Sequence, residues 1–257
     1  MSESILNQHH EVALDMSGER CDPRYGPEWN ASVQYHLARY RFACRRAKHA
    51  RVLDVACGLG YGARMLAEAG AKSVLGLDLA KQAILAAQKR YGMSGLEFRV
   101  DDAQALTTLA EEDRFDLVVS FETIEHLPRP EELLKQVSKR MGAQAIFYVS
   151  TPWREGGRLE DKPANKYHVR EWTLAEFASL VGGFFKHVEW FVQGLPFREQ
   201  QHTPAEVGRE AAKRVWCKLR GKGWPTTPYY DIIPVRAPAS LQPTFCNPTF
   251  IIAVARL

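Results

Sequence analysis

Short apolar runs alternate with amphipathic segments along the chain from about residue 51 onward. Five runs are predicted as buried strands, at 51–56, 73–78, 95–100, 115–120 and 145–150. Four segments between or after them are predicted as helices, at 61–69, 81–90, 131–140 and 174–180, the last with a capping box from Thr173 to Glu176. Two further apolar runs follow at 185–192 and 249–254. Strands that alternate with helices predict an α/β fold, a mostly parallel Rossmann-like sheet with helices on both faces.

Two regions do not follow this alternation. Residues 1–50 contain a predicted helix at about 28–48, and we interpret them as an N-terminal helical cap. Residues 51–257 form the main domain, in which the proline-rich stretch 195–247 is a predicted lid or substrate insertion before the last strand.

Composition narrows the class of protein. The 257 residues are 46% hydrophobic and 25% charged, with a net charge of +4, so nucleic-acid binding is allowed but not favoured. The five cysteines include no CxxC pair, which argues against a disulfide framework or a zinc–thiolate site. No signal peptide and no apolar run of about 20 residues is recognisable. We therefore expect a cytoplasmic enzyme without a membrane span, a monomer or a homodimer.

A glycine-rich turn, Gly58-Leu59-Gly60-Tyr61-Gly62, follows the first predicted strand. This turn also matches the glycine pattern of dinucleotide-binding enzymes. The match is not specific, because glycines let many kinds of ligand approach the backbone at the start of the next helix. Asp54 favours a different ligand, since a carboxylate repels a pyrophosphate but attracts an ammonium group such as that of S-adenosylmethionine. Asp78 is placed to accept from ribose hydroxyls, a role compatible with also capping the helix at 81–90. Asp102 is placed to accept from the adenine amino group, although it could instead cap a short helix near 104–109.

Four ordered motifs between residues 52 and 149 resemble class I S-adenosylmethionine-dependent methyltransferases: the 52–62 stretch, Gly76-Leu77-Asp78, Asp102-Ala103, and 115–127. The resemblance implies a seven-stranded sheet whose last strand is antiparallel. It also implies cofactor contacts from a larger set of residues, namely Asp54, Ala56, Gly58, Gly60, Tyr61, Asp78, Leu79, Asp102, Ala103 and Phe121. The segments 18–20 and 36–40 are similar to bacterial cell-surface polysaccharide and small-molecule methyltransferases, which adds Arg20 and Tyr40 as cofactor candidates.

A second group of polar residues follows the fourth strand, where Glu122, Glu125 and His126 lie within one helical turn if the chain is helical there. With His168 they resemble the metal-dependent methyltransferases of small-RNA 3′-terminal ribose, and the first three resemble ubiquinone-pathway O-methyltransferases. The resemblance implies that these four residues bind Mg²⁺ or Mn²⁺, which would lower the pKa of an acceptor hydroxyl. Two alternatives stay open: a metal-free base at His126 or His168, and a purely structural role.

The function expected is O-methylation, with His126, His168 and Glu122 as catalytic residues. A hydroxyl of a sugar, polysaccharide or other small molecule is the preferred acceptor, and the 3′-terminal ribose of RNA is an alternative. Two rival classes remain: an NAD-dependent dehydrogenase or epimerase, and a non-catalytic cofactor-binding protein. A dehydrogenase would need a Tyr-x-x-x-Lys pair after the fifth strand, which the sequence lacks.

Overall fold

The structure is a computed structural model that describes residues 31–154, 163, 165–196, 232–235 and 245–257. Arg20 and most of the insertion 195–247 lie outside these residues. Within the described ranges, no helix has both the length and the apolar character that crossing a bilayer requires.

The helices and strands follow the predicted order. The helices are α1 (Ala31–Cys44), α2 (Tyr61–Glu68), α3 (Lys81–Tyr91), α4 (Pro130–Arg140) and α5 (Leu174–Gly182), with a 3₁₀ turn, η1, at Ile124–His126. The strands are β1 (Arg51–Val55), β2 (Ser73–Asp78), β3 (Leu96–Val100), β4 (Phe115–Phe121), β5 (Met141–Pro152), β6 (His187–Pro196), β7 (Ile232–Val235) and β8 (Phe245–Arg256).

The strands form one sheet in the order β3-β2-β1-β4-β5-β8-β6-β7. The first five pair in parallel, and β8 runs antiparallel between β5 and β6. This arrangement confirms the predicted mostly parallel sheet with an antiparallel last strand. The described residues add an eighth strand, β7, which comes from the insertion and pairs antiparallel with β6 at the sheet edge. Its Pro234 cannot donate a ladder hydrogen bond, which is tolerated at an edge.

The sheet is buried on both faces because its strands are apolar at consecutive positions. Val52 packs with α1, α2 and α3 on one face, and its neighbours Leu53 and Val55 pack with α4 and α5 on the other. Because α1 contributes Tyr40 and Ala43 to the first of these cores, the described part of the N-terminal segment packs directly on the domain.

Three local predictions need comment. The capping box at the start of α5 is confirmed, with Thr173 and Glu176 bonded reciprocally. The alternative that Asp102 caps a short helix is wrong: turns occupy 103–109, where the Asp101 carboxylate accepts from the backbone and hydroxyl groups of Thr107 and Thr108. The helical turn expected from Glu122 is limited to η1, since Glu122 itself has a φ of 52°.

Candidate active site

The glycine turn after β1 lies at the carboxyl edge of the sheet, where ligands bind in folds of this kind. Gly58 has a φ of 56°, and a Cβ placed there would meet no atom within 4 Å, so its backbone faces open space. Gly60, with a φ of 82°, is the N-cap of α2. Ala56 also has a positive φ of 62°, which is strained for a residue with a side chain. The turn therefore presents backbone rather than side chains to a ligand at the start of α2.

Asp78 at the end of β2 fixes this turn. Its Oδ2 accepts from the Gly58 amide at 2.9 Å, and its Oδ1 accepts from the Ala80 amide at 2.8 Å. The expectation that Asp78 also caps α3 is wrong, because the N-cap of α3 is Ala80, without a side-chain cap bond. Each oxygen retains acceptor capacity for a ribose hydroxyl, and that role stays a prediction.

Asp54 is fully buried below the turn, where the Tyr40 hydroxyl lies 3.1 and 3.2 Å from its two oxygens. Burial raises the pKa of the Asp54 carboxyl to about 7, although the Tyr40 hydrogen bond lowers it and the Asp78 charge raises it further. A carboxylate with this pKa gains most from a nearby cation, as expected for the partner of an ammonium group. Tyr40 thus reaches the site from α1, next to the position predicted for the cofactor's amino-acid end.

The residues predicted around the adenine and the sulfonium line the same edge. Leu79 is 71% exposed directly after β2, and Ala103 is half-buried. Asp102 accepts from the Gln104 amide at 2.8 Å through Oδ1, a turn bond that leaves Oδ2 for a ligand. Phe121 is buried at the end of β4, in edge contact with Tyr40 at 5.1 Å between ring centroids.

Glu125, His126 and His168 converge beside this edge. Each offers one ligand atom, and these atoms all lie within 4.8 Å of one another. The His126 and His168 rings are in edge contact, with centroids 4.9 Å apart. The amides of Val169 and Arg170 donate to the Glu125 carbonyl at 2.8 and 3.2 Å, which docks the His168 segment onto η1. Three of the four predicted metal ligands are therefore brought together.

Hydrogen bonds set the tautomers of both histidines. Nδ1 of His126 lies 3.1 Å from the Tyr167 carbonyl, and Nδ1 of His168 lies 2.5 Å from Glu171 Oε1. A carbonyl or carboxylate oxygen only accepts, so each neutral ring carries its proton on Nδ1. The lone pair of each neutral ring then lies on Nε2, and that of His168 accepts from the Asn165 amide at 2.9 Å. An acceptor behind each imidazole is the usual outer shell of metal-binding histidines.

Glu125 is fully buried, and neither carboxylate oxygen has a hydrogen-bond partner among the described residues. Burial, followed by the charge of Glu122, raises the pKa of Glu125 well above its usual value. His126 Nε2, at 4.0 Å from Oε1, is too distant for a hydrogen bond. An orphaned buried carboxylate beside two imidazole lone pairs fits a divalent cation, which would satisfy all three groups at once.

Glu122, the fourth predicted ligand, does not belong to this group. Its Oε1 accepts from Ser150 Oγ at 3.0 Å and lies 3.7 Å from Nη2 of Arg39. Burial raises the pKa of Glu122, while the Arg39 guanidinium opposes that shift. Glu122 therefore lies near the Glu125 group, within range of the charges of His126 and His168, but its carboxylate is not one of the grouped ligands.

Sequence reasoning missed two charged residues. Arg39 is fully buried, although a cation in the middle of a helix suggests a surface position. Glu171 could have been found, because it follows His168 by three residues and ends in contact with its ring.

A family model described as "Methyltransferase domain" matches residues 46–192, more than half of the chain. The match includes Asp54, Asp78 and the Glu125 group, and it begins after Arg39 and Tyr40.

Two sequence relatives illustrate the range of the similarity. A probable S-adenosylmethionine-dependent methyltransferase of Mycolicibacterium smegmatis is 33% identical over 176 residues, which cover 66% of this chain and 64% of that protein. A ubiquinone biosynthesis O-methyltransferase of Idiomarina loihiensis is 30% identical over 164 residues, which cover 62% of this chain and 58% of that protein. The chain thus spans less than two thirds of the length of either relative.

Solved structures share the fold at low identity. A methyltransferase dependent on S-adenosylmethionine from Archaeoglobus fulgidus has a TM-score of 0.58 at 16% identity, covering 88% of this chain and 93% of its own. The [4+2]-cyclase SpnF also has a TM-score of 0.58, at 15% identity, covering 88% of this chain and 82% of its own. Since a cyclase shares this fold, the fold alone does not identify the reaction, which depends on the residues of the site.

Proposed function

This chain belongs to the methyltransferase-domain family, and we propose that it moves the methyl group of S-adenosylmethionine to a hydroxyl of a sugar or other small molecule, assisted by a divalent ion. One observation carries the proposal: a candidate donor site, with Asp54 and the Gly58 turn, and a candidate acceptor site, with Glu125, His126 and His168, adjoin on one sheet edge. Glu122 lies 3.7 Å from Arg39 and within range of the charges of His126 and His168.

The donor side is argued from charge and backbone. S-adenosylmethionine carries an ammonium group, a carboxylate, a sulfonium and a nucleoside. Asp54 would hold the ammonium, Asp78 the ribose hydroxyls and Asp102 the adenine amino group, while the bare backbone of Gly58 allows close approach. Positioning of this kind is the main contribution expected from the protein, because displacement at a sulfonium needs little covalent help.

The ligand atoms of the Glu125 group support a metal ion on the acceptor side. Two imidazoles and one carboxylate favour Mn²⁺ over Mg²⁺, because Mg²⁺ prefers oxygen ligands throughout. When bound, the ion would supply the positive charge that lowers the pKa of the acceptor hydroxyl. Tyr167 and Val169 are 39% and 53% exposed beside His168, a surface that a sugar or phenolic ring can contact. The name of the Idiomarina relative supports an O-linked acceptor.

The reaction transfers one group and one proton. The acceptor oxygen forms a bond to the methyl carbon as the carbon–sulfur bond breaks, and the sulfonium becomes a neutral thioether. The hydroxyl proton must leave, and Glu122 is the carboxylate that lies outside the Glu125 group and remains available to take it. Without an ion, the Nε2 lone pair of His126 or His168 would take that part.

Two experiments test the proposal. Isothermal titration should detect S-adenosylmethionine binding, and Mn²⁺ binding that is lost in Glu125→Gln but kept in Glu131→Gln, an exposed control on α4. A labelled-methyl screen over sugars, phenols and RNA ends, with Mn²⁺ or with chelator, should label a hydroxyl compound only with Mn²⁺. Absent cofactor binding would refute the donor half. Turnover unchanged by both chelator and Glu125→Gln would refute the metal.

A further inference from the structure

Arg39 of α1 is fully buried and contacts residues of β6 and β8 and the residue that follows β4. Its Nη1 donates to Gln193 Oε1 on β6 at 2.9 Å. The guanidinium carbon lies 4.3 Å from the centroid of the Phe250 ring on β8, and Nη2 lies 3.7 Å from Glu122 Oε1 after β4. Gln193 is held in turn, since its Nε2 donates to the Tyr35 carbonyl at 3.2 Å. The guanidinium is thus fixed from one side by neutral partners.

The other edge of the guanidinium is buried without a hydrogen-bond partner among the described residues. Within the described part of the chain, neither Nε nor Nη2 of Arg39 has a hydrogen-bond partner. These two nitrogens lie on one edge of the planar group and direct their N–H bonds in parallel, in the spacing of the two oxygens of a carboxylate. Unpaired charged donors in a buried position are costly, so a ligand that accepts from both would relieve that cost.

No described side chain accepts a hydrogen bond from this edge. The Glu122 carboxylate is the nearest acidic group, but its Oε1 takes the Ser150 hydroxyl at 3.0 Å and stays 3.7 Å from Nη2, beyond hydrogen-bond distance. Phe250 contacts the guanidinium without accepting a conventional hydrogen bond. The next residue along α1, Tyr40, binds Asp54 in the donor part of the site. Arg39 itself lies near Glu122, whose carboxylate is influenced by the charges of His126 and His168 in the acceptor part.

We propose that Arg39 is a carboxylate-binding residue, whose Nε–H and Nη2–H hold both oxygens of a ligand carboxylate where the cofactor and the acceptor meet. The proposal rests on the proposed function only in identifying that meeting point. Two ligands can supply the carboxylate: the methionine end of S-adenosylmethionine, or an acidic acceptor such as a sugar acid or an aromatic acid. Arg39 lies before the segment matched by the family model, so that match does not assign it a role.

The test compares ligands that differ only in the carboxylate. S-adenosylmethionine and decarboxylated S-adenosylmethionine are titrated into the full chain and into Arg39→Gln, with Arg41→Gln, exposed on the same helix, as the matched control. If the cofactor supplies the carboxylate, Arg39→Gln weakens S-adenosylmethionine binding about 10- to 100-fold and leaves the decarboxylated ligand unaffected. A residue that only supports the fold would weaken both ligands equally.

The second arm tests the acceptor. Benzoate and glucuronate are titrated into the chain saturated with S-adenosylhomocysteine, against benzyl alcohol and glucose as uncharged counterparts. Binding of an acid that Arg39→Gln abolishes, together with unchanged cofactor binding, assigns the carboxylate to the acceptor. The proposal is overturned if neither the cofactor's carboxylate nor either acid shows any dependence on Arg39. Failure of the wild-type chain to bind S-adenosylmethionine would count against the proposed function instead, and both acids would then be titrated into the free chain.

Discussion

Asp54 makes the affinity for S-adenosylmethionine depend on pH. Its carboxyl is fully buried, and burial is the main cause that raises its pKa to about 7. In a large share of unliganded molecules, Asp54 is therefore protonated at neutral pH. The ammonium group of the cofactor should pair with the ionised form only. Affinity should therefore rise with pH through about 7 and level off above it, because binding at lower pH must first remove a proton.

The magnitude follows from that pKa. A bound state that requires ionised Asp54, with a free pKa of about 7, should bind about tenfold more weakly at pH 6 than at pH 8. Isothermal titration across this range measures the effect directly. 5′-Methylthioadenosine, which lacks the amino-acid end, should show no such slope, because it brings no ammonium group to Asp54.

Variants assign the slope to Asp54. Asp54→Asn should bind S-adenosylmethionine weakly and with a flat pH profile. Asp116→Asn, an exposed control near the start of the neighbouring strand β4, should retain the slope. Tyr40→Phe should move the midpoint to higher pH, because it removes the hydrogen bond that lowers the Asp54 pKa. A flat wild-type profile, or an equal slope for 5′-methylthioadenosine, would show that ionisation of Asp54 does not control cofactor binding.

Three further predictions use other contacts. Gly62→Ala should lower the free energy of unfolding by about 1–3 kcal/mol and weaken S-adenosylmethionine binding, because the new Cβ would collide with the Tyr40 ring. Chemical denaturation measures the first effect and titration the second. An unchanged free energy of unfolding would show that Gly62 and Tyr40 are not in close contact. Glu171→Gln should weaken Mn²⁺ binding by about 10- to 100-fold without changing cofactor affinity, because a glutamine amide holds the Nδ1 proton of His168 less strongly than the Glu171 carboxylate does. Equal Mn²⁺ affinity of the variant and the wild type would argue against a role of Glu171 in orienting His168. The unliganded protein should lose stability as pH rises from about 4 to 7, by up to about 4 kcal/mol from Asp54, because folded Asp54 keeps a proton that unfolded Asp54 releases. Denaturation of the wild type and of Asp54→Asn across this pH range isolates the contribution of Asp54. An identical pH dependence of the two proteins would exclude that contribution.

The donor part of the site could be predicted because its residues are local to strand ends. Asp54 lies near the end of β1 and Asp78 ends the neighbouring parallel strand β2, so the closeness of the two carboxyls follows from strand order. The predicted cofactor contacts themselves remain predictions. Tyr40 was suggested only by resemblance, and its bond to Asp54 gives that suggestion a physical reason.

Other features depend on contacts between distant parts of the chain. Arg39 is buried through Gln193 and Phe250, which lie more than 150 residues away, so no local pattern distinguishes it from a surface arginine. The position of Glu122 depends on its left-handed φ of 52°, which the sequence does not reveal because helical spacing suggested a continuous turn. The edge strand β7 was missed because Pro234 interrupts its short apolar run.

The most direct test of the account is methyl transfer from labelled S-adenosylmethionine to a panel of sugars and phenols, measured with Mn²⁺ and with chelator, for wild type and Glu125→Gln. We predict that a hydroxyl compound is labelled by the wild-type protein with Mn²⁺, and that chelator or Glu125→Gln abolishes the labelling. Labelling that persists undiminished in chelator and in Glu125→Gln would contradict the account, as would a wild-type protein that binds no S-adenosylmethionine.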